Sequence, residues 1–113
     1  MDKKTILIAL DYLAGPIWDS DIQTGEPLTG IDVIDGDKEL IQLNLKISDL
    51  YFSYYEFNSH DQPCWFNEKQ EYKDRFIMLD LLEKLVSRLN EINDGSYVVE
   101  PIALEYYRRL CSN

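Results

Sequence analysis

An α+β domain is the fold that these 113 residues predict, and three observations point to it. Met78, Leu82, Leu85, Leu89 and Ile92 recur at i, i+4, i+7, i+11 and i+14, the 3.6-residue period of a helix with one apolar face. The runs Thr5–Leu10 and Ser96–Val99 are short, largely apolar and rich in β-formers. Asp35-Gly36 lies between two more apolar runs, which is a hairpin signal. The expected architecture is a single domain over 1–113. Its short sheet (N-terminal strand, hairpin, late strand) packs on two long helices plus a C-terminal helix. A chain of this length can bury one core without a disulfide or metal.

Taken in order, Thr5-Ile-Leu-Ile-Ala-Leu10 reads as a strand buried on both faces. Asp11 to Gly15 turn the chain, and Pro16, which cannot donate to a ladder, marks the exit. Residues 19–30, DSDIQTGEPLTG, form a polar surface loop, about as long as a small domain tolerates without a functional reason. Ile31–Ile34 and Glu39–Leu43 flank Asp35-Gly36-Asp37-Lys38. Beyond them Ile41, Leu43, Leu45 and Ile47 alternate with Gln42, Asn44, Lys46 and Ser48, the period of a half-buried strand. Ser48 is the expected cap of a helix carrying Leu50, Tyr54 and Phe57 on one face and Tyr51 and Tyr55 on a neighbouring one.

Residues 58–67, NSHDQPCWFN, end that helix, and Asn67 caps the next, with Glu68 in its first turn. The long helix then runs over Glu71–Ile92. Leu79, Leu81 and Val86 widen its apolar stripe, and Asp80 stands four residues before Lys84 in a helix-supporting order. Asn93-Asp94-Gly95 stops it. Pro101 suits the first turn of a last helix, Ile102–Leu110, whose Arg108 and Arg109 favour the negative helix end.

The formal charge is −10, from 21 acids against 11 Lys and Arg, and it is unevenly spread. Between Asp11 and Asp37 stand Asp19, Asp21, Glu26, Asp32 and Asp35 with no base among them. Such a field repels nucleic acid and anionic lipid and steers basic partners inward. No apolar run reaches the ~20 residues of a membrane span. The lysines and apolar run at the start mimic a signal peptide, but Asp11 and the aromatic residues after it argue for a strand. Cys64 and Cys111 match no metal spacing. Reduced thiols in a cytoplasmic protein are expected, with a single disulfide as the alternative.

Catalytic constellations are missing from the pattern. His60 is the sole histidine, so no two-histidine metal site exists, and a nucleophile–base pair with Cys64 would lack a third orienting group. Asp35, Asp37 and Glu39 start like a calcium loop, but Leu40 stands where glycine is demanded. No glycine spacing cradles a phosphate. A non-enzymatic protein without a cofactor is therefore expected. Binding has more support, because Tyr12, Trp18, Tyr51, Tyr54 and Tyr55 are interleaved with acids, giving anchors beside steering charge. Tyr12 and Tyr54 lie on apolar faces and are expected in the core. Tyr51 and Tyr55 stay divided between core and surface.

Three stretches carry a resemblance: LDYLAGPIW (10–18) after a first strand, LNLKISDLYFSYYEF (43–57), and FIMLDLLEKLVSRLNEI returning directly into NDGSYVVE (76–100). In this order the chain resembles the small bacterial immunity proteins encoded beside toxins of contact-dependent growth inhibition and related polymorphic toxin systems. The resemblance implies a cytoplasmic protein that binds one cognate toxin domain, commonly a nuclease, and covers its active site. A nuclease groove is positive because it holds phosphates. On that basis Asp19, Asp21, Asp32, Asp35, Asp37 and Glu39, with Tyr51, Tyr55 and Glu56, are the expected toxin contacts. The alternative is an intracellular adaptor or regulatory protein that offers the same surface to another basic partner.

Overall fold

The computed structural model describes residues 3–59 and 61–112, without the side chains of Asn58, Ser59 and Gln62; His60 lies outside the described residues. The elements follow in the order β1 (Lys4–Leu7), α1 (Asp32–Asp35), α2 (Lys38–Phe52), β2 (Tyr55–Ser59), β3 (Gln62–Phe66), α3 (Glu68–Lys73), α4 (Arg75–Glu91), β4 (Tyr97–Glu100) and α5 (Ile102–Cys111). The α+β class is the one the sequence predicts.

Helix α4 is the centre of the core. Met78, Leu82, Leu85 and Leu89 have no solvent exposure, and Leu81 and Val86 are buried beside them. Truncating any one of the fully buried four to alanine costs about 2–5 kcal/mol. Helix α2 packs against α4, and α5 also packs on it. Asp74 interrupts the long helix of the sequence prediction, separating α3 from α4. Its carboxylate accepts from Tyr54 Oη at 3.1 Å and Gln70 Nε2 at 3.1 Å. Asn67 caps α3 as expected, accepting from Gln70 N at 3.0 Å. Lys84 and Asp80 pair at 2.9 Å, and Gly95 takes φ +94° beyond the end of α4.

β1 and β4 form a parallel pair, with Lys4 opposite Tyr97 and Leu7 opposite Glu100. Buried Tyr97 ties this sheet to α4 by donating its hydroxyl to the Leu89 carbonyl. The first strand is fully buried on one face rather than two: Ile6 and Ile8 beyond it are buried, while on the other face Thr5 is exposed and Leu7 half-buried.

The hairpin expected across residues 31–47 is not formed, and the helix expected to start at Ser48 starts at Lys38. Asp37 caps it, accepting from Leu40 N at 2.9 Å. Its buried positions are Leu40, Asn44 and Ile47, a helical spacing in which the middle residue is polar. That polar residue disguised the stripe and left the two-residue alternation as the visible pattern. The helix also ends early, at Phe52. Tyr55–Ser59 and Gln62–Phe66 pair antiparallel as a separate two-stranded sheet, so Phe57 lies on a strand.

Loop 17–30 is riveted to α2 by Asn44. Its Oδ1 accepts from Ile17 N at 3.0 Å, and its Nδ2 donates to Ser20 Oγ at 2.8 Å and to the Gly25 carbonyl at 3.0 Å. The far end of the loop is held by Asp35, which accepts from Thr29 N at 3.0 Å, Thr29 Oγ1 at 2.6 Å and Gly30 N at 2.8 Å.

Arg88 joins α4 to the start of α2. Its Nη2 donates to Asp37 Oδ2 at 2.6 Å, and it also reaches Glu39 at 3.0 Å and Glu91 at 3.1 Å. The guanidinium bond, partly opposed by burial, holds the Asp37 carboxyl below its ordinary value. A depressed carboxylate contributes stability above its unfolded pKa of about 4, and that contribution is lost as pH falls through the lower folded value. Arg88→Gln is therefore expected to flatten the fall in melting temperature below about pH 4. Parallel profiles for the two proteins would show that the pair is not coupled to folding.

Candidate functional site

One surface feature is a set of exposed aromatic rings assembled from two distant segments. The first is the turn after β1. Asp11 Oδ1 accepts from Tyr12 N at 2.7 Å, Ala14 N donates to the Asp11 carbonyl at 3.1 Å, and Leu13 takes φ +57°. A turn this tight cannot fold its tip side chains back beneath itself. Tyr12 and Leu13 are accordingly 42% and 51% exposed. Tyr12 does not enter the core, contrary to the sequence expectation, because it sits on this turn and not on a periodic face.

The second segment is the junction of α2 and β2. Ser53 N donates to the Asp49 carbonyl at 3.0 Å and ends the helix, and Tyr54 turns fully inward, as expected of it. Phe52 remains outside on the last helical position. Tyr55 and Phe57 fall on one face of β2, two residues apart. The Tyr12 ring then stands 5.9 Å from Phe52, 5.1 Å from Tyr55 and 6.1 Å from Phe57, and Phe52 is 6.0 Å from Phe57. Beneath this layer Phe66 packs 5.0 Å from Tyr55, 5.4 Å from Tyr51 and 5.9 Å from Tyr54. Rings held edge-on or offset by neighbours add about 0.5–1.5 kcal/mol per pair beyond area burial. The exposed layer therefore rests on a packed one and needs little ordering to bind.

Beside the rings is a recess of about 160 Å³ between Leu13, Ile22, Tyr51, Phe52 and Tyr55, with Asp11 and Asp49 also lining it. Burial first, then neighbouring Tyr55, raises the Tyr51 phenol above its ordinary value; burial does the same to Tyr55. Both hydroxyls stay protonated at neutral pH.

The structure divides the residues singled out from sequence. Tyr51 and Tyr55 are half-buried at the C-terminal end of α2. Glu56 is near them and accepts from Asn67 Nδ2 at 2.8 Å. Asp32, Asp35, Asp37 and Glu39 lie at or before the other end of this fifteen-residue helix, roughly 20 Å away at 1.5 Å per residue. Asp35 and Asp37 are half-buried and engaged by the loop and by Arg88. Glu39 pairs with Arg88 but stays 59% exposed. Asp19 and Asp32 are exposed, and Asp21 accepts from Gln23 N at 2.8 Å within its own turn. Sequence reasoning did not place Asp11, Leu13, Phe52 and Phe57 at this surface. The tight turn after β1 was the available signal for the first two, since turn tips face solvent.

Cys64 is exposed and Cys111 half-buried, and both are free thiols. The conceived Cys64–His60 pair falls outside the described residues. Among the described residues no three His, Cys, Asp or Glu side chains converge as a metal site requires, and no helix is long and apolar enough to cross a membrane. Comparison with protein-family models, curated proteins and solved structures gave no match for this chain.

Proposed function

We propose that this protein is a binding protein that neutralises a cognate toxin domain, docking its aromatic platform on a basic surface of that domain. One observation carries the proposal. Tyr12, Phe52 and Phe57 are exposed and packed on one another, and the segments that present them, 10–24 and 47–57, hold Asp11, Asp19, Asp21, Asp49 and Glu56 with no Lys or Arg. Covering a ring already half-packed removes roughly 80–100 Å² more from water, worth about 2 kcal/mol each. Carboxylates around such anchors raise the association rate with a cationic partner and reject anionic ones. A nuclease groove, positive because it binds phosphates, is the surface this arrangement suits best.

The test is capture of the partner from the native strain by the full chain, followed by titration with platform variants. Tyr12→Ser with Phe52→Ser is expected to weaken binding by at least about 100-fold, the scale of two lost anchors. Asp11→Lys with Asp49→Lys is expected to slow association, whereas Asp32→Lys on α1, beyond the far end of α2, leaves it unchanged. Co-expression with the toxin should lose protection in the same order. Full affinity in the serine variant would sink the proposal. Binding without protection would favour the adaptor.

A further inference from the structure

We infer that the recess beside the platform is a socket for one arginine side chain of the partner. The inference rests on the reading of the platform as a docking face and names the group that anchors it. At about 160 Å³ the recess is smaller than the roughly 300–1,000 Å³ of a pocket that encloses a whole small molecule. It has room for roughly five waters at about 30 Å³ each, the space of one long side chain. Leu13 comes to it from the turn after β1, Ile22 from loop 17–30, and Tyr51, Phe52 and Tyr55 from the end of α2 and the start of β2. The Tyr51 and Tyr55 rings stand 5.9 Å apart, edge to face, and both pack on Phe66. Rings held this way are in place before anything binds, so little ordering is lost when they take a guest.

Charge selects the guest. Asp11 and Asp49 line the recess from separate segments, and both are exposed. The Asp11 carboxylate accepts from Tyr12 N through Oδ1 alone, which leaves Oδ2 for another donor. Among the described residues the Asp49 carboxylate accepts no hydrogen bond and makes no ion pair. No base among them lines the recess; Lys46 and Arg109 line other clefts. An apolar side chain seated here would strip water from two carboxylates and return nothing, and an anionic one would be repelled. A lysine would bring a compact, strongly hydrated point charge. An arginine brings a planar, weakly hydrated cation that stacks on aromatic rings, with a fork of donors able to serve two carboxylates at once. A charged pair enclosed by rings is where an interface concentrates its affinity.

NMR titration of the full chain tests this with N-acetyl-arginine methylamide, its lysine counterpart and its neutral citrulline counterpart. The arginine compound should bind saturably, in the millimolar range of a small fragment, and shift the amides of Leu13, Ile22 and Phe52. The lysine compound should bind several-fold more weakly, and the citrulline compound should not saturate. Asp11→Asn with Asp49→Asn should weaken the arginine compound at least about tenfold, the scale of a lost charge-assisted hydrogen bond. Asparagine keeps an oxygen to accept from Tyr12 N, so the turn should stand, and the spectrum itself reports whether the variant folds. With the captured partner, the same variant should dissociate faster, as loss of an enclosed charged pair requires. No saturable shift at those amides, equal binding of the lysine or citrulline compound, or full binding by the asparagine variant overturns the inference. Tyr12→Ser with Phe57→Ser separates it from the docking proposal, because neither ring lines the recess. That variant should keep the arginine compound and lose the partner. If it keeps both, the docking proposal fails alone. If wild type ignores the arginine compound while that variant loses the partner, the socket fails alone.

Discussion

Replacing Asn44 by leucine is expected to destabilise the protein by about 3–5 kcal/mol in urea unfolding, despite adding an apolar side chain to the core. Asn44 is 1% exposed and makes three hydrogen bonds to loop 17–30. The substitution strands the N–H of buried Ile17 and the carbonyl of buried Gly25, each costing about 1–3 kcal/mol when left unpaired. The loop cannot compensate by moving closer. Gly25 takes φ +78°, and a Cβ there would lie 2.6 Å from the Ile41 carbonyl oxygen of α2. A loss of this size is a large part of the 5–15 kcal/mol that holds a typical domain folded. A change below about 1 kcal/mol would show that solvent replaces those partners and that the loop is only draped over the helix.

Gly15→Ala should cost about 2–4 kcal/mol and weaken partner binding as well. The added Cβ would lie 1.9 Å from the Ala9 carbonyl oxygen and 3.0 Å from its carbon, so backbone must move. Ala9 N donates to the Pro16 carbonyl at 2.9 Å, closing the base of the turn that presents Tyr12 and Leu13. Displacing that base displaces the rings. Gly95→Ala is the control, because φ there is +94° but nothing lies within 4 Å of the added carbon. It should show the conformational cost alone, about 1 kcal/mol, and leave binding intact. Equal effects at the two positions would mean that the clash at Gly15 relaxes freely and that the platform tolerates movement of its turn.

Both results turn on junctions between distant segments, which is also where sequence reasoning succeeded or failed. The periodicity of α4, the Asn67 cap, the Asp80–Lys84 pair and the last helix were legible, because each depends on residues within a turn or two of one another. The run from Lys38 to Ile47 was not. Two periods fitted it, and the deciding residue was polar. An asparagine occupies a core position when backbone groups of another segment come to meet it, and nothing local to Asn44 announces Ile17 N or the Gly25 carbonyl.

The candidate surface follows the same division. From its sequence this chain determined the α+β class, the central helix, the excess of acid in its first half and the presence of aromatic residues beside it. Tertiary structure alone decided which acids and rings share a face. It spent Asp35 and Asp37 on internal bonds, set them a helix length from Tyr55, and brought Tyr12 across some forty positions to Phe52 and Tyr55. The physical reason is range: helical period and caps are written in neighbours, whereas a carboxylate's partner or a ring's stacking mate is chosen only when packing closes the loop between them.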